Sequence, residues 1–172
     1  MISLLKDKKA DVRHDAIKVI YEIGDRKPLL IAPYTDEFLA LFSGRDNWMK
    51  WGGMSALYTI SKIKSESMAD HLSLILEAMD SGSVITRDHG VYILCEVSKV
   101  QKYHADAMEL LLEQIDKSPV NQVPMYAEKM AEVISPAFIP KLTKTLRGRK
   151  DVLEIPSKQK RIEKLLRSLE KK

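Results

Sequence analysis

Small and apolar residues recur along the chain at a spacing of 37 residues. The small residues stand at four equivalent positions: Ala16, Gly53, Gly90 and Ala127. After each of them, apolar residues follow three, four and seven positions later, a spacing that places all of them on one face of an α-helix. A fixed period of this length is typical of an array of stacked helical units.

Each unit is predicted to contain two helices, and the second helix carries the repeated pattern. The predicted second helices span residues 12–23, 48–62, 85–100 and 124–134. The first helices carry matching apolar positions. Pro33 and Pro140 are expected to kink or delay the first helices in which they lie, because proline lacks the backbone N–H that a helix interior requires.

The periodic pattern stops after Leu146. Residues 147–156 are predicted to form a charged linker, followed by a helix at 157–170. That helix carries one apolar stripe, which consists of Ile162, Leu165, Leu166 and Leu169. The stripe is expected to pack on a helix at 136–146; docking of a second copy of the chain is the alternative. We therefore expect one domain over residues 1–172, with units at 1–24, 28–63, 67–100 and 104–135 and an atypical capping unit at 136–172.

Composition indicates a globular protein without a membrane span. The chain has 172 residues, of which 45% are hydrophobic and 30% charged, enough to bury a sizeable core. Its single cysteine, Cys95, cannot form an internal disulfide, which suits a reducing compartment. The first residues carry charge too early for a signal peptide, and no apolar run approaches the length of about 18 residues that spans a bilayer. We expect a soluble, cytoplasmic protein.

Positive charge is concentrated at one end of the chain. The formal net charge is +4, but residues 141–172 contain twelve basic and four acidic residues, a net charge of +8. Residues 1–140 therefore carry a net charge of −4. A basic end of this kind attracts nucleic acid, acidic protein or anionic lipid.

Residues 11–24 (DVRHDAIKVIYEIG) resemble the second helix of a HEAT repeat, with its Asp, Val-Arg pair, small residue and aliphatic pair. The third unit keeps Arg87, the second has Lys50 in its place, and the fourth departs with Pro124. The resemblance covers about residues 1–146. It implies an all-α fold in which about four to five stacked helical hairpins form a right-handed α-α superhelix, or solenoid. HEAT-like arrays usually act as binding scaffolds, so the resemblance specifies the fold more closely than the function.

Equivalent positions of stacked second helices are expected to line up in rows on one face, which is the concave face in HEAT-like arrays. The candidate partner-binding residues on these rows are Lys18, Tyr21, Trp51, Tyr58, Asp88, Tyr92 and Lys129. Exposed Trp and Tyr are common anchors of binding surfaces. The alternative is that these rings only pack over gaps between units. Trp48, nearer the start of its helix, is expected to fill the end of the core.

Arg13, Lys50 and Arg87 form a basic ladder with one member in each unit. Such a ladder can bind phosphates or carboxylates. In the resembled family, however, this Arg links a unit to an acid in the neighbouring turn, and Asp11, Asp46 and Asp80 are available here.

No catalytic or metal-binding motif is evident in the sequence. The four histidines are spread over three units without ligand spacing, and CxxC, HExxH and Gly-rich phosphate loops are lacking. We therefore predict no enzymatic activity, cofactor or metal, and a scaffold that binds a protein or peptide along its second helices. The alternative is a nucleic-acid-binding protein similar to helical-repeat DNA alkylation-repair glycosylases, acting through residues 141–172. The oligomeric state stays open.

Overall fold

Helices make up most of the described structure, a computed structural model that covers residues 1–150 and 153–171. No strand occurs in those ranges, so the all-α prediction is confirmed. Their α-helices are α1 (Ala10–Arg26), α2 (Thr35–Ala40), α3 (Asn47–Ala69), α4 (Leu72–Ser81), α5 (Val84–Val97), α6 (His104–Lys117), α7 (Val123–Val133), α8 (Ile139–Lys150) and α9 (Pro156–Leu169). Contacts divide the chain into two parts that are larger than the predicted repeats: Met1–Val97 and Ser98–Lys172. Below, "first unit" and "second unit" refer to these two parts.

The four predicted second helices are present as α1, α3, α5 and α7. The end of α3 differs most from the prediction. The helix predicted to end at residue 62 does not stop there; it kinks at Lys64, where φ is −128° and ψ is 18°, and continues to Ala69. The helix predicted to extend to residue 100 ends at Val97.

Pro33 delays the first helix of its unit, as expected. Residues 28–30 and 32–34 form 3₁₀ turns, and α2 begins only at Thr35. Pro140 has a milder effect, because it is the second residue of α8, where the N–H that proline lacks would have no partner within the helix.

In the first unit, α3 packs against α1, α2 and α5, and α4 packs against α5. Two adjacent glycines of α3 permit this close packing. A Cβ on Gly52 would lie 2.5 Å from a side-chain carbon of Ile17 in α1, and one on Gly53 would lie 3.0 Å from the carbonyl oxygen of Phe38 in α2. The recurrent small residue therefore serves close helix approach within this unit.

In the second unit, α6 packs against α7 and α8, and α9 packs against both α7 and α8. Three members of the predicted apolar stripe of α9 are buried, with Ile162 0%, Leu165 9% and Leu169 2% exposed, whereas Leu166 is half-buried. As predicted, α9 packs on the helix before it, and it also contacts α7. The predicted linker is shorter than expected, since residues 147–150 form the last turn of α8. Residues 151, 152 and 172 of the predicted capping unit lie outside the described residues.

His104, at the start of α6, joins two turns of the second unit. Its Nδ1 donates to the carbonyl oxygen of Ser98 at 2.7 Å, and its Nε2 lies 2.9 Å from the hydroxyl of Ser135. Because Nδ1 carries the proton in the neutral ring, Nε2 accepts from Ser135. The imidazole therefore holds the turn that follows α7 against the one that precedes α6.

The packing at Gly53 predicts opposite effects of two glycine-to-alanine substitutions. Gly53→Ala should lower the free energy of unfolding by about 1–3 kcal/mol, because the new methyl group meets backbone that cannot move cheaply. Gly148→Ala in α8 is the matched control, since a Cβ there meets nothing within 4 Å. It should raise the free energy of unfolding by about 0.5 kcal/mol through helix propensity. Urea unfolding of both variants checks this; equal effects would contradict the packing argument.

Candidate functional site

Seven rings from α1, α3 and α5 lie together on the first unit. We call this set the aromatic surface; its members are His14, Tyr21, Trp48, Trp51, Tyr58, His89 and Tyr92. On α3, Trp48, Trp51 and Tyr58 fall at helical spacings of three and seven residues, which places them on one face. The side-by-side packing of α1 with α3 and of α3 with α5 brings the other rings to that face.

The first group of rings centres on Trp51. Its ring centroid lies 5.2 Å from that of Trp48 and 5.6 Å from that of Tyr21, with interplanar angles of 74° and 68°. His14 lies 5.6 Å from Trp48. Edge-to-face contacts at these distances are favourable arrangements of aromatic pairs. The indole Nε1 of Trp51 is buried and has no hydrogen-bond partner within the described part of the chain.

The second group centres on Tyr58, which contacts two rings of α5. His89 stacks on it with a centroid distance of 4.6 Å and an interplanar angle of 2°, and Tyr92 lies 5.3 Å away. Ser55 lies between the two groups on α3. Its hydroxyl donates to the carbonyl oxygen of Trp51 at 2.9 Å and lies 3.2 Å from Nδ1 of His89. Ser55 therefore fixes the orientation of the stacked imidazole.

Burial lowers the pKa of His89 below its ordinary value of 6.5, although the negative charges of Asp88 and Asp25 act in the opposite direction. The ring is therefore neutral at neutral pH. A neutral imidazole stacks on Tyr58 without the desolvation penalty of a buried charge. On the first group, burial, together with Glu22 and Asp25, raises the pKa of Tyr21.

Trp48 is the ring that the sequence analysis misjudged. Expected to fill the end of the core, it is 47% exposed, whereas Tyr21, Trp51, Tyr58 and Tyr92 are half-buried. Trp48 occupies the second position of α3, and the next residue, Met49, is only 4% exposed, so Trp48 lies on the open side of the helix there. The signal that would have found it is its spacing of three residues from Trp51, on the same helical face.

Asp46 joins α1 to the start of α3. Its Oδ1 accepts hydrogen bonds from the backbone N–H groups of Trp48 and Met49, so it is the N-cap of α3. Its Oδ2 accepts from Nε2 of His14 at 2.8 Å and from the guanidinium of Arg13 at 3.3 Å. Burial alone would raise the pKa of Asp46, but the bonds from His14, Met49 and Arg13 outweigh it and lower that pKa below 3.8.

The contacts of Arg13 support the structural alternative for the basic ladder. Besides Asp46, its guanidinium binds the carbonyl oxygens of Asp7 and Lys8 at 3.0 and 3.2 Å. Lys50 and Arg87 are half-buried, and Nε of Arg87 is enclosed without a hydrogen-bond partner in the described structure. The ladder therefore does not present three free cations.

The remaining candidates divide between the two units. Lys18 is exposed on α1, and Asp88 is half-buried beside His89. Lys129 belongs to α7 of the second unit, where it pairs with Glu132 at 2.9 Å. The first unit thus brings together the four aromatic candidates, and Lys129 is not part of that group. Cys95 is buried.

Over residues 1–150 and 153–171, no group of three or more His, Cys, Asp or Glu side chains is arranged to hold a metal ion. In the same ranges, no helix has the length and apolarity needed to cross a membrane.

Comparison with known proteins yields a similarity of fold. No protein-family model matches the chain, and no curated protein matches it. Among solved structures, the chain is similar to an engineered protein from the Northeast Structural Genomics Consortium, with a TM-score of 0.70 and 15% sequence identity. The match covers 99% of this chain and 78% of that chain. At this identity the likeness shows the helical fold alone.

The role of Asp46 predicts graded effects of two substitutions. Asp46→Ala should lower the free energy of unfolding by about 1–2 kcal/mol, because it removes the cap of α3. Asp46→Asn should cost less, since Asn also caps helices well. The ionic part of the stabilisation is present above pH 3.8 and is lost as the pH falls through the lowered pKa of Asp46. Asp46→Asn should lack that acid-dependent loss. Urea unfolding between pH 2.5 and 7 tests this, and parallel pH profiles would contradict it.

The lowered pKa of His89 predicts a second pH effect. Below pH 6.5 the unfolded chain binds a proton at His89 before the folded chain does, so stability falls as the pH drops through that range. His89→Phe keeps a ring against Tyr58 and removes the titration. Its unfolding midpoint should therefore fall less than that of the wild type between pH 7.5 and 5.5. NMR titration of the His89 ring gives a direct check, and a midpoint above pH 6.5 would refute the assignment.

Proposed function

We propose that the chain is a non-enzymatic, HEAT-like scaffold of the cytoplasm, whose aromatic surface binds an extended segment of another protein. The observation that carries the proposal is the cluster of half-buried rings on α1, α3 and α5, with Trp48 exposed at its end. The side-by-side packing of these alternate helices also supports a solenoid of stacked hairpins. The resemblance of residues 11–24 to a HEAT second helix points the same way.

The chemistry of the aromatic surface favours a partner with apolar side chains. Trp and Tyr offer large, rigid contact areas and lose little conformational entropy on binding. The half-buried rings already contact one another, so their orientations are largely fixed before a partner arrives. Trp48, 47% exposed at the rim, has the most surface left to bury. Pre-ordered rings with exposed edges are suited to act as anchors.

The charge of the first unit favours protein over nucleic acid at this surface. Residues 1–97 contain twelve basic and fourteen acidic residues, a net charge of −2. Asp25 and Asp88 act electrostatically on His89 within the aromatic surface itself. This negative potential would repel a phosphate backbone, whereas it would not repel a peptide with apolar and mixed-charge side chains.

Tryptophan fluorescence reports directly on the proposed site. Both tryptophans of the chain, Trp48 and Trp51, belong to the aromatic surface. Peptides selected from a random display library against the full chain should change the emission of these residues on binding. Trp48→Ser should weaken the binding of the selected peptides at least about tenfold, equivalent to about 1.4 kcal/mol. Because Trp48 is 47% exposed, the unfolding midpoint of the Trp48→Ser variant should stay near that of the wild type.

Leu29→Ser is the matched control for this experiment. Leu29 is 74% exposed and lies in the 3₁₀ turn at Pro28–Leu30, outside the aromatic surface. It should leave peptide affinity unchanged. Selected peptides that bind Trp48→Ser as tightly as the wild type, or that lose affinity equally in both variants, would contradict the proposal.

A further inference from the structure

Six of the basic residues in the described part of residues 141–172 bind other groups of the second unit. Four of them form ion pairs: Lys141 with Glu109, Arg147 with Glu170, Lys150 with Glu163 and Arg161 with Glu128. Two more bind uncharged oxygens. Arg149 donates to the carbonyl oxygens of Asp116 and Ser118, and Lys158 donates to Asn121. The net charge of +8 for residues 141–172 already counts Glu163 and Glu170, so the pairs with Glu109 and Glu128 lower it by two.

A second set of basic side chains has no such partner and shares one side of α9. We call it the basic face; its members are Lys160, Lys164, Arg167 and Lys171. In the described part of the chain, none of these side chains forms an ion pair or a hydrogen bond. Their spacings of four, three and four residues place them on one helical stripe. Lys160 and Arg167 are about 10 Å apart along the helix axis, and Lys171 follows the helix end. With Glu163 and Ser168 they line an open groove.

The one acid on this side does not cancel the basic face. Glu163 is held by Lys150 of α8, with an Nζ–Oε1 distance of 2.8 Å. The hydrogen bond and charge of Lys150 are the main causes that lower the pKa of Glu163, and Arg167 and Lys160 add to the effect. The bidentate pair of Arg161 with Glu128, at 2.9 and 2.6 Å, fixes α9 against α7. Glu128 and Glu163 therefore form the pairs that orient α9, and the basic face of α9 stays positive.

We propose that the basic face of α9 binds the sugar–phosphate backbone of nucleic acid. Regularly spaced cations without acid partners match a polymer that carries one charge per repeat. The face contains no aromatic or amide side chain that would stack on bases or read their edges. Binding is therefore electrostatic and independent of base sequence. This site is separate from the aromatic surface in residues, partner and driving force.

The composition of α9 separates nucleic acid from the other anionic partners. A membrane-surface helix inserts apolar side chains beside its basic ones. Here Ile162, Leu165 and Leu169 of α9 are buried inside the unit, and Leu166, which is half-buried, lies more than 90° around the helix from the basic face. An acidic protein partner would normally add apolar anchors at the centre of its interface. The basic face offers none, which leaves the phosphate polymer as the best match.

Salt dependence of binding tests the proposal on the full chain. A fluorescein-labelled random-sequence DNA duplex of 20 base pairs is titrated with protein at a series of salt concentrations. Four phosphate contacts give a slope of log affinity against log salt of about −3.6. Lys164→Gln with Arg167→Gln should reduce that slope by about 1.8 and weaken binding on the order of 10- to 100-fold at 0.1 M salt. Both residues are exposed, so thermal unfolding of the variant should match the wild type.

Lys8→Gln with Lys9→Gln is the matched control, because it removes the same charge from two exposed lysines of the first unit. It should keep the wild-type slope. Equal losses in the two double variants would show a net-charge effect and overturn the assignment to α9. Retention by polyglutamate or by phosphatidylserine vesicles, without retention by the duplex at low salt, would also overturn it and assign the face to acidic protein or lipid.

Discussion

The close approach of α3 to its neighbours is the constraint on which the first unit depends. Consecutive residues of a helix point in directions about 100° apart, so Gly52 and Gly53 open two different sides of α3. One side admits Ile17 of α1, and the other admits the backbone of α2. Because α1 sits this close, the ring of Tyr21 reaches that of Trp51. The geometry of the aromatic surface is thus set by two missing methyl groups on the helix that carries its central ring.

Asp46 also holds α1 against the start of α3 through hydrogen bonds and charge. It caps α3 with one carboxylate oxygen and binds two residues of α1 with the other. A cap that also links two helices fixes the angle at which α3 begins, and Trp48 lies only two residues further on. Arg13, a member of the basic ladder, makes one of these contacts. Arg13 therefore serves the contact between α1 and the start of α3 and is not one of a row of free charges.

The sequence predicted the helices well because their apolar periodicity is a local signal. It also predicted the burial of Ile162, Leu165 and Leu169, since a single stripe on a charged helix has one face to bury. The errors arise where the outcome depends on tertiary context. The periodic pattern fades near Lys64, yet the helix bends there and continues. Trp48 is 47% exposed although Met49 beside it is 4% exposed, and the local pattern does not distinguish the two. Which lysines of α9 stay unpaired depends on acids such as Glu128, 33 residues away from Arg161 along the chain.

The two proposed binding surfaces should differ in how strongly binding depends on salt concentration. The first unit offers apolar rings and a net charge of −2, while residues 98–172 contain sixteen basic and ten acidic residues, a net charge of +6. Burial of aromatic area depends little on ionic strength, whereas binding through phosphate contacts falls steeply as salt rises. Each unit uses internal contacts to hold its surface in place: Asp46 and Ser55 in one, Glu128 and Glu163 in the other. The residues that form these contacts are not the ones left exposed. The supporting residues are thus separable by mutation from the proposed contact residues in both units, and ionic strength would separate the two proposed binding modes in the intact chain.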